Sequence, residues 1–113
     1  MEQVAIIHGW PEARAALAAA SGRLTLVSAP GAGGYAGAAW FAALAAQGEA
    51  AFPAVAQRWV LDCADAEGHV LAALRAGVRA VVFSGAPDLR ERLASVAAAC
   101  GAELLDMAPE AGA

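Results

Sequence analysis

Polar residues able to do chemistry close five short apolar runs: Val4 to His8, Leu24 to Ser28, Trp59 to Cys63, Ala80 to Ser84 and Glu103 to Asp106. His8 as a base and Asp62 as its orienting carboxylate are the catalytic candidates, with Cys63, Ser28 or Ser84 as conceivable nucleophiles. The same residues have a plainer use, because a strand leaving a core must end in something polar, and Ser or Asp there caps the next turn. His69 beside Glu67 reads as an exposed residue without a role, and Trp10 and Tyr35 as aromatic packing on the same rim.

The richest local signal is the turn Ser28-Ala-Pro-Gly-Ala-Gly-Gly-Tyr-Ala-Gly37. Free backbone N–H groups in such a turn can cradle a phosphate or carboxylate, which makes Ser28, Gly31, Gly33, Gly34 and Ser84 the candidates for a small anion. Gly31-x-Gly33-x-x-Ala36 fits a permissive dinucleotide fingerprint, but the acid expected at the end of the next strand is missing and the nearest, Glu49, follows the helix. No cofactor is therefore expected. Cys63 and Cys100 have no metal-type spacing, so no metal site is expected either, and reduced thiols in a cytoplasmic protein are the default.

Composition removes further chemistries. All seven basic residues, from Arg14 to Arg92, are arginines. A Schiff-base enzyme and a Walker-type phosphate loop both need an ammonium group that this sequence lacks. A net charge of −4 without a basic cluster argues against nucleic acid. The start Met-Glu-Gln-Val-Ala-Ile-Ile-His has neither part of an export signal. Leu24 to Gln47 is uncharged and long enough to raise the question of a membrane span, but Pro30 and its neighbouring glycines cut it in two.

The elements that must position these residues follow from periodicity. The five runs read as strands buried on both faces. Pro11 to Ala20, Tyr35 to Ala46, Ala66 to Ala76 and Pro87 to Cys100 read as helices, two of them opened by proline, with Gly22, Gly48, Gly77 and Gly101 just past their ends. Strict β-α alternation predicts one α/β domain over residues 1–113 with parallel strands and right-handed crossovers. The expected form is a three-layer, doubly wound five-stranded sheet of the flavodoxin-like type, order 2-1-3-4-5, in which His8 and Asp62 end neighbouring strands. A half-barrel of βα units that completes itself by pairing with a copy is the alternative.

The helix Tyr35 to Ala46 carries no charge on any face. A helix apolar all round is normally buried all round, and one sheet covers one side of it, so its alanine side is expected to meet a second copy in a homo-oligomer.

Trp59-Val-Leu-Asp62, Val81-Val-Phe-Ser84 and Gly101-Ala102 followed by Pro109 give the C-terminal half a resemblance to a response-regulator receiver domain. In that likeness Asp62 stands at the phospho-acceptor and Ser84 at the hydroxyl position. The lysine before the proline is replaced by Ala108, and the paired acids that hold magnesium by His8 and Gly9. The resemblance thus implies a degenerate, non-phosphorylated relative acting by protein contact. The function expected is that of a non-enzymatic regulatory or interaction domain. The alternative is a protein or enzyme that binds a small anionic ligand, a phosphate or nucleotide, at the carboxyl edge of the sheet.

Overall fold

A computed structural model describes residues 3–110. The elements run β1 (Gln3–Ile7), α1 (Trp10–Ala19), β2 (Leu24–Ser28), α2 (Ala32–Tyr35), α3 (Ala38–Ala51), β3 (Gln57–Asp62), α4 (Glu67–Arg75), β4 (Ala80–Val82), α5 (Pro87–Ala99) and β5 (Glu103–Leu105). All four strand pairings are parallel, as the alternation of strand and helix predicts.

The order across the sheet is β1-β2-β3-β4-β5, not the expected 2-1-3-4-5. This changes the layering. A right-handed crossover that always steps the same way always lays its helix on the same face, and only a reversal of direction sends helices to the other. The buried residues bear this out. Ala13 and Leu17 of α1, Phe41 and Leu44 of α3, Val70 and Ala73 of α4 and Leu93 of α5 share one cluster with Leu26, Leu61 and Val81 of the strands. The opposite strand faces form a second, smaller cluster of Val27, Val60, Ala80 and Val82, flanked by Val4, Leu105 and Ala108 and containing no helix residue. The domain therefore has two layers where three were expected, and its strand order is that of the half-barrel alternative.

The expected helix Tyr35 to Ala46 is also redrawn. Gly37, at φ +89°, takes a conformation that side chains resist, and it separates the short α2 from α3. α3 then runs on through Gln47, Gly48 and Glu49, so Gly48 lies inside the helix and the helix does carry a charge. The reason is close packing: a Cβ on Gly48 would come within 2.5 Å of Cζ2 of Trp59. Trp59 meets Phe41 edge-on with ring centroids 5.8 Å apart, and this pair fixes α3 against β3. None of the helices among the described residues is long and apolar enough to cross a membrane.

Candidate functional site

Parallel pairing gathers the strand ends along one edge, as expected, but the strand order separates the two catalytic candidates. β2 lies between β1 and β3, so the strands ending at His8 and Asp62 are two spacings apart, roughly 10 Å. The expectation that they are neighbours is corrected. Each has its own partner. His8 donates its backbone N–H to Glu12 Oε1 at 2.7 Å, and its Nδ1 lies 3.0 Å from Glu12 Oε2. These bonds from the His8 side chain and backbone hold the Glu12 carboxyl below its usual range.

The glycine-rich turn meets a carboxylate of the chain itself, that of Asp62, through one N–H. Asp62 Oδ1 accepts the N–H of Gly31 at 3.3 Å and that of Ala64 at 2.8 Å. Ser28, buried at the end of β2, accepts the Asp62 N–H on its Oγ at 2.9 Å and donates to the carbonyl of Ala29 at 3.1 Å. The Gly34 N–H turns back to the Gly31 carbonyl at 3.0 Å. Ser84 donates its backbone N–H to the carbonyl of Ala64 at 2.8 Å, tying the ends of β3 and β4 together. This arrangement holds Ala64 at φ +51°, a left-handed conformation rare for alanine.

The turn also seals the nearest nucleophile. A Cβ on Gly33 would lie 2.8 Å from Cys63 Sγ and 3.3 Å from the Asp62 carbonyl, and one on Gly34 would lie 2.9 Å from Cε1 of His69. These two glycines are small because backbone and side chains close over Cys63, which is 1% exposed. Burial, with the Asp62 charge adding to it, pushes the Cys63 thiol up to about 12. A thiol so placed is not a nucleophile near neutral pH. Among the described residues no three His, Cys, Asp or Glu side chains converge in a way that could hold a metal ion.

A cavity lined by charged side chains lies at the other edge. It has a volume of about 380 Å³ and sits where the strands begin, walled by Ala42, Ala45 and Ala46 of α3, with Phe41 and Trp59 behind them. Arg23, Arg58 and Arg79 line it, together with Glu49 and Glu103. Gln57 braces one side. It donates Nε2 to the carbonyls of Gly48 and Phe52 at the end of α3, and its Oε1 accepts the Trp59 indole N–H at 2.9 Å. The Arg58 Nε donates to Glu103 Oε1 at 2.8 Å.

Reading the strand ends alone misses this group. A signal for it exists in the sequence: Arg23 and Arg79 immediately precede β2 and β4, and Arg58 is the second residue of β3. In parallel strands such positions align. The chain matches no protein-family model and no curated protein.

Proposed function

We propose that this chain is a non-enzymatic regulatory or protein-interaction domain of the cytoplasm that pairs with a second copy of itself along the outward side of α3. The observation that carries the first part is the use of Asp62: its carboxylate takes the N–H of Gly31 in the glycine-rich turn and that of Ala64 beside it, an N–H that a substrate anion would otherwise use. On this reading the likeness of the C-terminal half to a receiver domain lies in its strand-end pattern, with Asp62 kept as a structural acceptor.

Support for self-association comes from α2 and α3. Tyr35 is 71% exposed, and Ala39 and Ala43 lie exposed along the adjoining helix in a stretch without charge. Two unpaired thiols, Cys63 buried and Cys100 exposed, suit a reducing compartment.

Two measurements test the reading. Light scattering should give a mass above that of one chain, and Ala43→Arg should bring it down to the monomer with an unchanged circular-dichroism spectrum. A wild-type monomer at high concentration ends the pairing claim. Thiol alkylation followed by mass spectrometry should label Cys100 and spare Cys63 in the folded protein at pH 8. Rapid labelling of Cys63 would restore a nucleophile to the carboxyl edge and count against a non-enzymatic domain.

A further inference from the structure

We propose that the cavity at the amino edge binds a small organic oxyanion, a carboxylate or phosphate carried on a compact body with one apolar side. This goes beyond the interaction reading and does not depend on it.

Charge is the first argument. The chain has a net charge of −4 and seven cationic side chains, and Arg23, Arg58 and Arg79 gather around one opening. Glu103 answers Arg58 at 2.8 Å. Arg23 and Arg79 make no side-chain hydrogen bond or ion pair among the described residues. The guanidinium fork suits an oxyanion, which it grips by two parallel N–H bonds.

The remaining lining narrows the class. Arg23 and Arg79 supply two guanidinium forks at the mouth of the cavity, which suits one anionic head group. Ala42, Ala45 and Ala46 of α3 line one side of the cavity, where an apolar part of the ligand would lie. About 380 Å³ lies at the lower end of the range for small-molecule sites, which run from about 300 to 1,000 Å³. Register supplies the rigidity. Arg58 and Glu103 stand on paired strands, and Arg23 and Arg79, one residue before β2 and β4, are tied in by their carbonyls, which accept the N–H groups of Gln3 and Glu103.

The test uses the intact chain with phenyl phosphate, benzoate, inorganic phosphate and benzyl alcohol, read by thermal shift and calorimetric titration. Phenyl phosphate or benzoate should raise the melting temperature by mass action. The stronger of the two identifies the head group. Inorganic phosphate should bind more weakly because it leaves the alanine wall uncovered, and benzyl alcohol should not bind. Arg79→Gln should weaken binding about tenfold, the scale of one lost charge-assisted hydrogen bond. Glu49→Gln should tighten it, while Arg14→Gln on α1 should leave it unchanged. Opposite signs at Arg79 and Glu49 cannot arise from a general folding defect. No shift with either aromatic anion, an equal shift with benzyl alcohol, or the two variants moving together would overturn the proposal.

Discussion

The two edges of this sheet both carry polar residues and end up opposite in character. At the carboxyl edge a carboxylate, a hydroxyl and a run of glycines satisfy one another: Asp62 holds Gly31 and Ala64, Ser28 holds Asp62, and Gly33 presses on Cys63. At the amino edge three arginines face two acids across a cavity walled by alanine and aromatic side chains. The difference teaches that a row of polar strand ends becomes a site only if the topology leaves room between them. Here the carboxyl edge is occupied by the bonds that Asp62 makes with Gly31 and Ala64 and by the bond of Ser28 to the Asp62 N–H.

The largest test of this contrast is Phe41→Ala. Phe41 is fully buried, packed on Trp59 and behind the amino-edge cavity, and its truncation should cost about 3–5 kcal/mol in denaturant unfolding. A loss under about 1 kcal/mol would mean that the aromatic wall does not hold the cavity in shape.

Next is the hydrogen-bonded edge. Asp62→Ala leaves two N–H groups without their acceptor and should cost about 1–3 kcal/mol, whereas Asp62→Asn keeps an oxygen and should cost less. Equal losses for the two would show that charge rather than acceptance holds the turn. Ala64→Gly should move the other way. Left-handed backbone costs alanine about 1–2 kcal/mol, and the extra freedom of glycine when unfolded takes back about half, so a gain of about 0.5–1 kcal/mol is expected in the same unfolding assay.

The smallest effect concerns Glu12. Its carboxyl is held below the ordinary value of 4.5 by the bonds from His8, so the stability it contributes is complete above that value and fades as pH falls through the lowered one. Glu12→Gln should flatten the acid limb of a thermal-melt profile slightly, because the pair is exposed. A steeper limb in the variant would reverse the sign assigned here.

How far all this was legible in the sequence depended on the range of the interactions concerned. β2 was read to the residue, Leu24 to Ser28, because apolar runs, prolines and glycines act over a few positions. Strand order was not legible. Val4 to Ile7 and Leu24 to Val27 are equally apolar, although the first lies at the sheet margin with Ile6 59% exposed and the second is buried throughout. Gly48 was misread for a related reason. A glycine at the expected end of a helix looks like a stop, and only the ring of Trp59, eleven residues on, shows that it is there to let α3 approach β3. The site candidates were correctly placed along one edge, but their hydrogen bonds to one another depend on side chains meeting across strands. The arginines of the amino edge were visible as single residues and became a group only once the strand starts were aligned.

Sequential pairing also bears on how the molecule reaches this shape. Every strand docks on the one just before it in the chain, from Gln3 on Leu24 to Ala80 on Glu103, so no pairing waits for a distant segment to arrive. Closure entropy rises with the length of chain enclosed, and folding slows as contacts span more sequence. The β2–β3 step, which encloses both α2 and α3, has the longest loop to close and is the natural bottleneck of assembly.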